Sequence, residues 1–185
     1  MLDLIIKNGQ CYIEGELKDV DVAIKNGKIE KIGQISDTAK DTIEAKGLTV
    51  LPGCIDTQTH FREPGSTDTE DLHSGSRAAI VGGITAVFEM PNTNPPTSTK
   101  KEFQKKLDLA KNRMYCNYAF YFGASPNNQD EILNIKHLEG CCGVKLFAGS
   151  STGTLLVNKE DDIEKVFENT PKVVAVHSED EEILN

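Results

Sequence analysis

The chain predicts an α/β fold, on three observations. Short apolar runs rich in Val, Ile and Phe recur from residue 49 onward, stretches of helical periodicity separate them, and Gly, Pro or Asn punctuate the joins. Strand and helix in strict alternation mark βα units and a parallel sheet. The first 50 residues keep a different rhythm. Leu2-Asp-Leu-Ile-Ile, Asp19-Val-Asp-Val-Ala-Ile and Lys28-Ile-Glu-Lys-Ile alternate with period two, and Asn8-Gly9 and Asn26-Gly27 are turn dipeptides. Residues 1–50 therefore predict a small antiparallel β unit, and residues 51–185 the βα region.

In that second region strands are expected at 49–59, 86–90, 117–122, 143–148 and 173–177. Helices are expected around 72–81, 99–112, 129–135 and 159–168. Thr99 ahead of Lys-Lys-Glu predicts an N-cap, with Glu102 reaching back as the second half of a capping box. Five βα strands do not close a barrel, which takes eight strands and roughly 250 residues. Either the sheet is open or the chain is the first part of something longer. Val173-Val-Ala-Val-His177, a buried-type strand followed by only eight residues, favours the second.

Composition excludes several classes of function. Among 185 residues, 20 Lys and Arg face 29 Asp and Glu, a net charge of −9, so the excess of basic residues that binds a phosphate backbone is missing. No apolar run approaches the roughly 18 residues of a membrane span. The start, Met1-Leu-Asp-Leu-Ile-Ile-Lys, is acidic where a secretory signal is basic, which predicts a cytoplasmic protein. Cys11, Cys54, Cys116, Cys141 and Cys142 are odd in number and form no C-x-x-C pair, so buried thiols in a reducing compartment are expected.

Chemistry concentrates in Pro52-Gly-Cys-Ile-Asp-Thr-Gln-Thr-His-Phe-Arg-Glu-Pro-Gly65. Alternate residues of a strand share a face, which puts Asp56, Gln58 and His60 on one side with His60 nearest the C-terminal end, the catalytic end in a barrel. There His60 can ligate a metal through neutral imidazole, and Arg62 can hold a carboxylate with its guanidinium fork. The alternative is a strand-end His beside a surface Arg. Lys145 falls within a strand expected to be buried on both faces, where a bare ammonium is costly. Burial lowers a lysine pKa, and a neutral amine takes up carbon dioxide to give a carbamate, an anionic ligand able to bridge two metals. The competing reading is a side chain snorkelling at a strand edge. His177 ends the following strand at the same rim, as a ligand or as a satisfied core histidine. Three ligand types on one end of one sheet favour a metal site.

Other candidates fall away. Gly149-Ser-Ser-Thr-Gly153 lacks the Gly-Lys-Ser/Thr ending of a phosphate loop and reads as a βα loop. Neither Ser150 nor Ser151 has a nucleophile-elbow context. His73 and His137 are expected at the surface, and Ser178-Glu-Asp-Glu-Glu182 as the first turn of a helix. Asp56 could orient a ligand from behind.

Taken together, Asp56-Thr-Gln-Thr-His-Phe-Arg-Glu-Pro-Gly65, Ser74-Gly-Ser-Arg-Ala-Ala-Ile-Val-Gly-Gly-Ile-Thr85, Glu89-Met-Pro-Asn-Thr-Asn-Pro95, Gly143-Val-Lys-Leu-Phe and Val176-His-Ser-Glu-Asp resemble the dihydroorotases, cyclic amidohydrolases of the amidohydrolase superfamily. The resemblance implies a partial (β/α) barrel of about five strands, with residues 1–50 as part of a composite β-sandwich. It implies interconversion of N-carbamoyl-L-aspartate and dihydroorotate in pyrimidine synthesis, by two zinc ions bridged by carbamylated Lys145. His60 would be a zinc ligand, His177 a ligand of the second ion, and Arg62 and Asn92 would hold the substrate carboxylate. The ions would polarise the amide carbonyl and lower the pKa of the attacking water.

Two departures stand out. The family pattern on the first strand is His-x-His, and here Gln58 replaces the first His with a weaker amide donor, so Gln58 is carried as a metal ligand of lower affinity. A further metal-binding His and the general-base Asp are expected beyond residue 185, so the 185-residue chain alone is expected to be inactive and poorly soluble. Two other readings stay open: an allantoinase- or dihydropyrimidinase-like hydrolase, and a non-catalytic relative kept for assembly, as a homo-oligomer or with an aspartate transcarbamoylase.

Overall fold

Seven strands build the first unit, Met1–Pro52, of a computed structural model that describes residues 1–149, 154–180 and 183. One sheet has the order β5-β4-β1-β6, formed by β1 (Leu2–Lys7), β4 (Asp21–Lys25), β5 (Lys28–Gly33) and β6 (Ala39–Glu44). The other has the order β3-β2-β7, from β2 (Gln10–Ile13), β3 (Glu16–Asp19) and β7 (Thr49–Val50). Asn26 and Gly27, both at positive φ, make the two-residue β4–β5 turn that the sequence predicts. Asn8-Gly9 makes no hairpin; it carries the chain from β1 to β2, which lie in different sheets. The hairpin between β2 and β3 turns on Glu14-Gly15, again both at positive φ, and Glu14 hides it because Glu seldom adopts that conformation. β6 and β7 add as parallel strands to otherwise antiparallel sheets. β6 escapes sequence reading because five of its six residues are exposed and it carries no apolar alternation.

The second unit, Gly53–Asn185, alternates β8 (Cys54–Thr59), α1 (Leu72–Val81), β9 (Ile84–Glu89), α2 (Lys100–Ala110), β10 (Asn117–Gly123), α3 (Gln129–Leu133), β11 (Cys141–Phe147), α4 (Glu160–Asn169) and β12 (Val174–His177). All neighbours in the sheet β12-β11-β10-β9-β8 are parallel, and the sheet curls as half of a barrel wall. The strand expected at 49–59 is two strands in two units. Pro52 lacks the N–H a ladder needs, and the sequence breaks there.

Strand parity sorts the sheet. One face sends Val87, Phe120, Phe122, Val144 and Leu146 against Leu72, Phe103, Ala110 and Val166 of the helices, all buried. Phe103 centres this layer, its ring 6.3 Å from Phe120 and 6.1 Å from Phe122. The opposite face carries Phe88, Tyr121, Lys145, Phe147 and His177, as the registers Gly123↔Lys145 and Phe147↔His177 require.

Helix starts are partly as expected. Thr99 caps α2 by accepting from the Glu102 amide at 3.2 Å, but the Glu102 carboxylate turns to Lys105 at 2.8 Å, so the reciprocal half of the box is missing. The full box belongs to α1, where Asp71 and Ser74 satisfy each other's backbone. All five cysteines are free; Cys11, Cys116 and Cys141 are buried as expected, whereas Cys54 is exposed because it opens the outermost strand. Among the described residues no helix is long and apolar enough to cross a membrane. Residues 150–153 of the expected βα loop, and Glu181 and Glu182 of the acidic run, lie outside the described residues.

Phe103→Ala is expected to cost about 3–5 kcal/mol, the loss of a fully buried aromatic from a close-packed layer. Urea unfolding reads it; a loss below about 1 kcal/mol would mean that the helix–sheet layer is not the core.

Candidate active site

His60 is the first residue past β8, and three contacts fix it. The Met90 amide donates to the Thr59 carbonyl at 2.9 Å on one side. The Phe61 amide donates to Glu89 Oε1 at 3.2 Å on the other. The ring itself meets Asn92, Nδ1 to Oδ1, at 2.9 Å. A carbonyl oxygen only accepts, so the proton sits on Nδ1 and Nε2 keeps its lone pair. Burial holds the imidazole pKa below its ordinary value; the Asn92 bond opposes this, and the charges of Arg62, Lys145 and Lys106 reinforce it.

Arg62 follows in the left-handed region, φ 63°. Its loop is clamped at Glu63, whose buried carboxylate accepts from the Leu72 amide at 2.9 Å and from Arg113 Nη1 and Nη2 at 2.7 and 3.1 Å. The loop after β9 locks onto the same segment, with the Asn94 amide donating to the Pro64 carbonyl at 2.9 Å. Gly65, at φ +119°, lies so close that a Cβ there would come within 2.8 Å of Asn94 Cβ. Two loops distant in sequence thus form one rigid rim holding Arg62 and Asn92.

Lys145, on β11, is 2% exposed. Among the described residues it forms no ion pair, and its ammonium stands 5.0 Å over the Phe147 ring. Desolvation lowers its pKa. Burial sets aside the snorkelling alternative. His177, the last residue of β12, pairs in register with Phe147, their rings 6.2 Å apart, and its Nε2 lies 3.1 Å from Glu179 Oε1. Gln58 is exposed on the outer strand, its backbone N–H donating to Asp56 Oδ1 at 2.9 Å. Asp56 therefore steadies backbone at this site. His73 and His137 are exposed as expected, His73 against the Tyr115 ring.

Among the described residues no three His, Cys, Asp or Glu side chains gather as a ready metal cage. The donors that the strand ends and β11 offer a metal are His60 Nε2, His177 and Lys145. Imidazole nitrogen is a donor that zinc accepts, and desolvation shifts Lys145 towards its uncharged amine. Gln58 is the weakest donor of the four.

Four residues of this assembly escape sequence reading: Glu63, Glu89, Lys106 and Arg113. Lys106 carried a signal, because it occupies a core position of α2, buried with Phe103 and Ala110 at helical spacing.

Residues 49–178 match the amidohydrolase family. The chain belongs to that family. Among amidohydrolases of known sequence, it is 35% identical to a dihydroorotase of Methanosarcina mazei over 99% of this chain and 41% of the relative. It is 41% identical to an allantoinase of Escherichia coli O1:K1 / APEC over 80% of this chain and 33% of the relative. The solved L-hydantoinase (dihydropyrimidinase) from Arthrobacter aurescens superposes with a TM-score of 0.90 at 31% identity, covering 100% of this chain and 42% of that one. The chain thus spans between a third and about two fifths of the length of these amidohydrolases.

Two measurements check the geometry. The His60 imidazole is expected to titrate below its ordinary 6.5 in an NMR pH series, and a midpoint at or above that value would contradict the burial. Arg113→Met is expected to destabilise by about 1–3 kcal/mol, discounted because the Arg113 side chain is 37% exposed. Adding Glu63→Gln should recover part of that loss in urea unfolding, since the stranded carboxylate is then gone.

Proposed function

We propose that this chain supplies the first part of the active site of a metal-dependent cyclic-amide hydrolase of the dihydroorotase type. The observation that carries the reading is Lys145: an amine buried within β11, without an ion-pair partner among the described residues, on the sheet face that also carries His177. In this reading His60, Lys145 and His177 hold two zinc ions with Gln58 as a fourth, weaker donor. The ions, when bound, polarise the scissile amide carbonyl and make water a nucleophile near neutral pH. Membership of a typically metal-dependent family supports the same reading.

The chain's own residues do the rest. Asn92 holds His60 in the tautomer that ligates through Nε2. Arg62, fixed by the Glu63 clamp, offers a planar fork to a substrate carboxylate, with the Asn92 amide nitrogen as a second donor. This favours dihydroorotate, which carries a carboxylate beside its ring, over a neutral cyclic amide. The second reading is an allantoinase-type substrate, favoured by the 41% identity to that relative.

With zinc and carbon-13 bicarbonate, the wild-type chain is expected to show a carbamate carbon resonance and to take up zinc. Lys145→Ala should abolish the resonance, and both Lys145→Ala and His60→Ala should weaken zinc uptake. Unchanged uptake in both variants would sink the metal assignment. In a binding panel of dihydroorotate, allantoin and dihydrouracil, Arg62→Met is expected to weaken dihydroorotate about tenfold or more and to spare the neutral ligands. Preference for allantoin would move the assignment to the second reading.

A further inference from the structure

We propose that Glu89, held by Lys106, is a positioning residue for His60, acting on it from the helix layer behind the sheet. The inference rests on the proposed role of His60 for its functional meaning, and on packing for its geometry. Glu89 ends β9 with its side chain turned towards α2, and it is 1% exposed; Lys106 of α2 is 0% exposed and forms an ion pair with Glu89 Oε2. The Lys106 ammonium also donates to the Met90 carbonyl at 2.9 Å and stands 5.0 Å from the centre of the Phe120 ring.

A buried ion pair is seldom kept for stability. Its desolvation cost offsets most of the attraction, and an apolar pair of similar volume does as well or better. Leu and Met at these two positions would continue the surrounding layer of Phe103, Phe120 and Val87. What an apolar pair cannot supply is Oε1, the acceptor for the Phe61 amide at 3.2 Å. Residues 89 and 90 thereby grip the chain on both sides of His60: Glu89 takes the amide after it, and the Met90 amide takes the carbonyl before it at 2.9 Å. Lys106 ties those two gripping residues together through the Glu89 carboxylate and the Met90 carbonyl. Asn92, two residues further on, completes the hold at the ring. The helix layer is connected to the His60 imidazole by five named contacts, and Glu89 is the one on which the side after His60 depends.

Two double variants separate positioning from simple support. E89Q/K106M keeps an acceptor for the Phe61 amide and E89L/K106M removes it; neither leaves a buried charge. In E89L/K106M the Phe61 amide is expected to exchange with solvent about tenfold faster than in E89Q/K106M, measured without metal while the α2 amides keep their protection. Zinc affinity that depends on His60 is expected to fall about tenfold or more in E89L/K106M and to stay near wild type in E89Q/K106M. Equal Phe61 exchange and equal affinity in the two variants would overturn the inference. In the wild-type chain a scalar coupling across the Phe61 amide to the Glu89 carboxylate reads the contact without any substitution, so a variant that fails to fold leaves the test standing, and absence of the coupling overturns it too. If wild-type zinc affinity is indifferent to His60→Ala, the metal reading fails, and the Phe61 exchange and coupling still decide the role of Glu89.

Discussion

The second unit depends on the two-residue period of a parallel strand. With helices on one side, the positions of β10 and β11 that face them must be apolar and the alternate positions are released for chemistry; β9 sends Val87 the same way and ends on Glu89, which meets Lys106. Phe120, Phe122, Val144 and Leu146 take the first role, and Lys145 and Phe147 the second. A single-residue slip in β11 would move Lys145 into the Phe103 layer and expose Leu146 on the functional face, so the register that builds the core also places the amine. Fold and site are consequences of one constraint.

Precision at the rim comes from a different source. The strand ends deliver His60, Arg62 and Asn92, and their loops are held by polar clamps between segments far apart in sequence: Arg113, past the end of α2, on Glu63 of the first loop, and Asn94 of the second loop on Pro64 of the first. Each clamp closes a buried carboxylate or a backbone group that would otherwise lack a partner, so the polar bonds that position the site also satisfy groups that packing had removed from water.

Much of this was legible in the sequence, and the misses share a cause. Five βα strands, four helices, the Thr99 cap and the Asn26-Gly27 turn are local features, and local pattern reports them. His60, Arg62 and His177 could be singled out because they stand at or just past strand ends, Lys145 because an ammonium lies inside a buried strand, and Gln58 and Asn92 through the resemblance to the dihydroorotases. Glu63, Glu89 and Arg113 could not, because each looks like ordinary surface charge until its partner, 17 to 50 residues away, is known; Lys106 showed only its core position on α2. The Glu14-Gly15 hairpin and the all but fully exposed β6 were hidden because their pairing is specified by tertiary context more than by composition. The break at Pro52 was written in the sequence, and an apolar run extending across it disguised the change of unit.

The His60–Asn92 bond has one more effect, on polarity. With its carbonyl oxygen turned to the ring, Asn92 can show only hydrogens on its amide nitrogen to whatever approaches from the other direction. The Arg62 guanidinium likewise has no lone pair to share, so these two side chains offer donors, and His60 Nε2 is left as the acceptor of the three. Under the proposed reading the pair of Arg62 and Asn92 would select by charge sign before shape matters, drawing oxygen-rich anions and repelling amines, in a protein whose overall charge is strongly negative.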